Sequence, residues 1–198
     1  MALDLLIVGD SNTKRIETYD MYQSKRVTKE LTYTITDATN FIGDYKMSDP
    51  KVVLFHVGTN DTWKKQDQTD VSEDVSKSFR KRIQTTHDRS PQTPIVFSLI
   101  LPDVEPKLQE IRNEVNTFLR EEAEKTDYVH VTDNSNLLTD KGTIDEALFR
   151  SDGYHLNESG VLVLVSNMKR VVNPLLGLGQ CASWDEGANP QPQGQGQS

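Results

Sequence analysis

Short apolar runs alternate along the chain with longer stretches in which apolar residues return every third or fourth position. The first pattern belongs to buried strands, the second to helices laid over them. The runs predict strands at 4–9, 31–36, 51–57, 94–101 and 128–132. A helix is expected from Ser11 through Tyr22, then a short one over 38–46, with Pro50 punctuating the turn that follows. Val71, Val75, Phe79 and Ile83 step by fours through a helix over 70–87, with Asp70 and Glu73 as a capping pair and Arg80-Lys81-Arg82 tending outward. Pro106 suits the first turn of a long surface helix along Leu108, Ile111, Val115, Phe118 and Leu119. Asn157 suits the N-cap of a last helix running to Leu175. Residues 133–151 carry no clear element, and a loop of that length in a compact domain usually has a job.

Strand and helix in regular alternation imply an α/β fold whose parallel sheet is covered on both faces. Residues 1–176 read as one domain, and 177–198, rich in Gly, Gln and Pro, as a disordered tail that cannot bury apolar surface.

Three stretches carry candidate chemistry. Gly9-Asp10-Ser11 ends the first strand where a helix begins, so Ser11 is placed with its hydroxyl at the open end of the sheet and its own N–H unpaired in the first helical turn. A plain helix N-cap would look the same. Gly58-Thr59-Asn60-Asp61 follows the third strand directly, and is also a natural turn sequence. Asp152-Gly153-Tyr154-His155 precedes the last helix. Loops at the carboxyl ends of parallel strands converge on one crevice, which would bring the three stretches together.

Their order and wording, GDS at 9–11, GTND at 58–61 and DGYH at 152–155, resemble the SGNH (GDSL-type) hydrolase superfamily over about residues 3 to 176. The wording is most similar to the esterase domain of LINE retrotransposon first-open-reading-frame proteins. The resemblance implies a three-layer α/β/α sandwich with a five-stranded parallel sheet, flavodoxin-like in build. It implies Ser11 as nucleophile, His155 as base, Asp152 as the group that orients the imidazole, and Asn60 as a side-chain oxyanion donor. The family also has a glycine after the second strand whose N–H completes the oxyanion hole. Asp37 stands nearest that position, its carboxylate expected to turn away from the crevice. Trp63 and Tyr154 flank the site as candidate walls for substrate. His56 reads as a hydrogen-bonded core histidine, and Asp10 and Asp61 as turn-shaping carboxylates.

Composition narrows the partners. A net charge of −8 with short basic clusters interleaved with acids offers no cationic stripe for nucleic acid. The single cysteine, Cys181, excludes an internal disulfide, and no Cys/His cluster suggests a metal, so no cofactor is expected. No signal sequence precedes the first strand and no run could span a bilayer, which predicts an intracellular, cytoplasmic protein. The function expected is a serine esterase acting on small, acetyl-type esters. The alternative is a catalytically weak binding or interaction module of a larger protein, kept open by the aspartate where the family has glycine.

Overall fold

The structure, a computed structural model, describes residues 3–45, 49–65 and 68–179. Five parallel strands, β1 (Leu5–Gly9), β2 (Val27–Leu31), β3 (Val52–His56), β4 (Ile95–Ser98) and β5 (Val129–Thr132), form one sheet in the order β2-β1-β3-β4-β5. The connections form α1 (Ser11–Lys14), α2 (Thr18–Met21), α3 (Ile35–Asp44), α4 (Thr59–Lys65), α5 (Val71–Arg89), α6 (Pro106–Lys125) and α7 (Glu158–Leu175).

Side chains alternate across each strand, so each central strand feeds two cores. Leu6, Val8, Val53, Phe55, Ile95 and Phe97 pack under α3, α5 and α6; Leu5, Ile7, Val52, Leu54 and Val96 pack against Ile16, Met21 and α7. This is the three-layer α/β/α sandwich. Strand order reverses between β1 and β3, and the crevice beyond the carboxyl ends of strands at such a reversal is where ligands bind in open sheets.

The second strand lies at 27–31, not 31–36. As an edge strand it buries little, and Val-Thr-Lys-Glu-Leu does not read as a core run. The alternating Thr-Tyr-Thr-Ile-Thr that suggested a strand instead starts a helix. Thr34 and Asp37 close a reciprocal capping box that fixes the first turn of α3 at Ile35.

The single helix expected over 11–22 is broken into two short ones, because buried Ile16 turns into the core between them and its N–H closes on Thr13 C=O. Asp70 precedes α5 in the left-handed region at φ 58° and makes no side-chain cap, so its pairing with Glu73 is absent. Arg82 points inward. It follows Phe79 by three on the packed face of α5, lies 4.7 Å over the Phe55 ring, and donates to the carbonyls of Ala38 and Thr39. Burial pushes its guanidinium down to about 9.

The fourth strand stops at Ser98, yet Leu99, Ile100 and Leu101 remain buried. Asn116 of α6 takes over the backbone pairing there, accepting from Ile100 N–H at 2.8 Å and donating to its carbonyl at 3.0 Å. Residues 133–151 hold two short 3-10 turns, Ser135–Leu137 and Glu146–Leu148. At the other end of α7, Gly177 at φ 69° lets Leu178 N–H reach Asn173 C=O at 2.8 Å, a Schellman closure that uses the first residues assigned to the tail. The rest of that segment and Cys181 lie outside the described residues.

Candidate active site

β1 ends at Gly9 and α1 starts at Ser11, with buried Asp10 as N-cap accepting from Asn12 N–H at 3.0 Å. Gly9 is required for space: a Cβ there would run into the Thr13 side chain and the His56 carbonyl. The turn is also tied across the sheet edge. Buried Asn12 accepts from Leu156 N–H at 3.1 Å, which holds the loop carrying His155 against the loop carrying Ser11.

That second loop is a tight excursion between Phe149 and Leu156, which bridge each other. Arg150 accepts from Gly153 N–H at 2.9 Å and donates to His155 C=O at 2.7 Å, with Gly153 at φ 65° making the turn. The result places Ser11 Oγ 3.2 Å from His155 Nε2, and His155 Nδ1 2.9 Å from Asp152 Oδ2. The other carboxylate oxygen of Asp152 accepts from His155 N–H at 2.8 Å and Tyr154 N–H at 2.9 Å. The His155 amide first, then the imidazole and the Tyr154 amide, hold the Asp152 carboxyl well below the usual carboxylate range.

Asn60 comes from the Gly58-Thr59-Asn60-Asp61 stretch after β3. Gly58, at φ 112°, turns the chain from β3 into α4 where a Cβ would press on Ile100 and Phe79. Asn60 then faces the crevice, its amide donating to Tyr33 C=O at 2.8 Å. Asp61 accepts from Ile35 N–H at 3.1 Å and so ties α4 to the start of α3. Burial pushes its carboxyl up to about 6.

Asp37 does not belong to the site. Its N–H donates to Thr34 Oγ1 at 3.1 Å and its carboxylate accepts from Thr34 N–H and hydroxyl at 3.0 and 2.7 Å, so both groups serve the helix cap. The expectation that the carboxylate turns away holds; the placement of its N–H in the hole does not, because the strand before it was set four residues late. Between β2 and α3, the amides of Thr32, Thr34 and Ile35 bond to Gly9 C=O, Asp37 and Asp61. Tyr33 N–H, beside Asn60, is left without an acceptor among the described residues.

Ser11, Tyr33, Asn60, Trp63, Tyr154 and His155 line one cavity of about 600 Å³ together with Asp103, Val104 and Leu108. Trp63 and Tyr154 therefore line the cavity that holds Ser11 and His155. Tyr33, Val104 and Leu108 are new. Tyr33, Trp63 and Val104 are among the few large apolar side chains exposed among the described residues, at 67%, 54% and 62%. The first was hidden by the misplaced second strand. Trp63, on α4, and Val104, in the loop before α6, both lie at the carboxyl edge of the sheet.

His56 is a buried core histidine. Its Nδ1 lies 2.8 Å from Ser98 Oγ, which accepts from Asn134 at 3.0 Å and so has its own proton to give to the ring. The ring proton then sits on Nε2, 3.9 Å from Asp10 Oδ1 and beyond hydrogen-bonding reach. Burial lowers its pKa, keeping it neutral. Among the described residues, no group of three or more His, Cys, Asp or Glu is placed to hold a metal ion, and no helix is long and apolar enough to cross a membrane.

An α/β sandwich with a serine, histidine and aspartate joined in sequence at its strand reversal defines the hydrolase class. The chain belongs to the GDSL-like lipase/acylhydrolase family, whose model matches residues 8–161. No curated protein matches its sequence. Solved structures share the fold. A member of the lipolytic G-D-S-L family from Veillonella parvula is 19% identical with a TM-score of 0.65, covering 86% of this chain and 98% of that one. A family 3 carbohydrate esterase from Clostridium thermocellum is 14% identical with a TM-score of 0.67, covering 89% and 100%. The OSK domain of Drosophila Oskar is 17% identical with a TM-score of 0.68, covering 85% and 88%.

Proposed function

We propose that the protein is a serine esterase that hydrolyses small carboxylic esters, acetyl esters foremost. The reading rests on one observation: Ser11 Oγ, the His155 ring and the Asp152 carboxylate lie in hydrogen-bonded sequence at 3.2 and 2.9 Å.

A serine hydroxyl needs a base in the transition state. Asp152 accepts from Nδ1–H and so leaves Nε2 of His155 free to take the Ser11 proton. As Oγ bonds to the ester carbon, charge develops on the carbonyl oxygen. Ser11 N–H, the second amide proton of Asn60 and Tyr33 N–H are the donors that would receive it, with Tyr33 in the place that the family fills with glycine. A backbone N–H does not depend on the side chain beside it. Collapse breaks the bond to the alkoxy group, which takes the proton from His155; water, activated by the same ring, then releases the acid and frees Ser11. These steps call on no metal or cofactor. A 600 Å³ cavity exceeds an acetyl group and leaves room for the alcohol portion. We take the protein to act on a small intracellular ester and not on nucleic acid.

Hydrolysis of p-nitrophenyl acetate by wild type and by Ser11→Ala tests this. Wild type should turn the ester over and Ser11→Ala should not, and a fluorophosphonate should label Ser11 in the wild type alone. An adduct on another residue of an active protein would refute the assignment.

A further inference from the structure

We propose that Tyr154 is a positioning residue whose hydroxyl fixes the Asn60 side chain with its amide protons toward the crevice, Arg112 bracing both partners from below. The proposal rests on the esterase reading above and adds a role that the walls of the cavity alone do not give.

An asparagine amide has nearly the same shape either way round, so only its partners decide which end faces a substrate. At Asn60 two partners agree. Tyr154 Oη donates to Oδ1 at 3.1 Å, and Tyr33 C=O accepts from Nδ2 at 2.8 Å. The Tyr33 carbonyl, an acceptor only, demands this orientation, and the Tyr154 hydroxyl, which can donate or accept, then donates to Oδ1 and holds it; together they leave one Nδ2 proton unused on the cavity side. The reverse orientation would set Oδ1 against a carbonyl. Burial, with the Asp10 carboxylate adding to it, raises the Tyr154 phenol to about 12, so the hydroxyl keeps its proton at any assay pH.

The ring is held in its turn. Arg112 is buried with its guanidinium 6.0 Å from the Tyr154 ring centre. It pairs with Asp103 at 2.8 Å and donates to Leu101 C=O at 3.1 Å and to Thr62 Oγ1 at 3.4 Å. Thr62 is two residues after Asn60 on α4. One guanidinium therefore links the helix that carries Asn60 and the ring that orients it. This arrangement separates two functions for Tyr154: a substrate wall needs the ring, whereas the positioning role needs the hydroxyl.

Tyr154→Phe keeps the ring and removes the hydroxyl. With p-nitrophenyl acetate, Y154F should lower kcat about tenfold, the scale of one neutral hydrogen bond, with KM within about twofold. N60A should lose about a hundredfold to a thousandfold. Because Tyr154 acts only through Asn60, Y154F/N60A should match N60A alone, a non-additivity that holds whatever either change does to stability. A Y154F variant with wild-type kcat, or losses that multiply in the double variant, overturns the proposal. Failure of the esterase reading looks different, since wild type itself would then leave the ester intact. In that event heteronuclear NMR of the Asn60 side-chain amide, assigned by its disappearance in N60A, gives the answer without turnover. Y154F should shift both of its proton resonances, and unshifted resonances overturn the proposal.

Discussion

Ser11, His155 and Asp152 are joined by hydrogen bonds, and under the proposed function they should lose their effect as a whole. Ser11→Ala, His155→Ala and the double variant should fall to a similar floor of ester hydrolysis, with melting temperatures close to wild type, because none of the three side chains sits in either core. Losses that multiply would argue that they act separately. The pH profile follows from the same geometry. Two backbone amides and the imidazole hold Asp152 ionised far into acid, so the carboxylate does not titrate in the assay range. The acid limb of kcat/KM should therefore take no proton from Asp152 and have the slope of one proton, and a two-proton limb would place another essential group in the site. That these residues meet at one crevice was legible because each ends a strand or precedes a helix, where loops converge; that they act together was read only from the resemblance of the three stretches. The donor proposed at Tyr33 was not legible. A donor that acts through its backbone carries no side-chain signature, and only the position of the neighbouring strand could have revealed it.

At the scale of elements, the sequence was clearest where burial is two-sided. β1, β3 and β4 sit inside the sheet and read as plain apolar runs. β2, on the edge, exposes two of its five residues, buries none fully and reads as loop, while the capping box of α3 imitates a strand. The join between α3 and α4 shows how such elements hold the site. Asp61, next to Asn60, accepts from the first amide of α3 and does so from a mostly buried position. Its carboxyl is raised from 3.8 to about 6, so protonation favours the folded state. The contribution is sign-definite: stability from this group is full below about pH 4 and is lost as pH rises through 6. Asp61→Asn retains an acceptor for Ile35 N–H and removes the ionisation. It should raise stability at pH 8 by no more than about 3 kcal/mol, the equivalent of that rise at 1.36 kcal/mol per pKa unit, and by nothing near pH 4. Thermal melts across that range check it; equal gains at both ends would mean that the charge of Asp61 is not what burial penalises.

Across the whole molecule, the strand order puts the Ser11 loop and the Asn60 loop on either side of the reversal, which alternation in the sequence anticipates as a class but cannot order strand by strand. What no pattern announces is the polar chain beneath that reversal. Asn167 of α7 donates to Asn134 Oδ1, Asn134 to Ser98, and Ser98 to His56, whose Nε2 faces the N-cap of α1. These side chains are scattered over four segments and each reads as ordinary alone. Their burial has a cost that depends on pH. His56 is held neutral, with a pKa below its unfolded value of 6.5, so the unfolded chain binds a proton that the folded one refuses, and stability falls as pH drops below 6.5. Asp61 runs the other way over nearly the same interval and masks the loss. The D61N background removes the mask. There, stability should decline more steeply between pH 6.5 and 4 than in wild type, and adding His56→Gln should flatten the decline while costing about 1–3 kcal/mol at every pH for the disturbed network. If D61N and D61N/H56Q show the same slope, His56 takes up its proton inside the fold, and the polar chain from α7 to the turn at Ser11 is not closed to water.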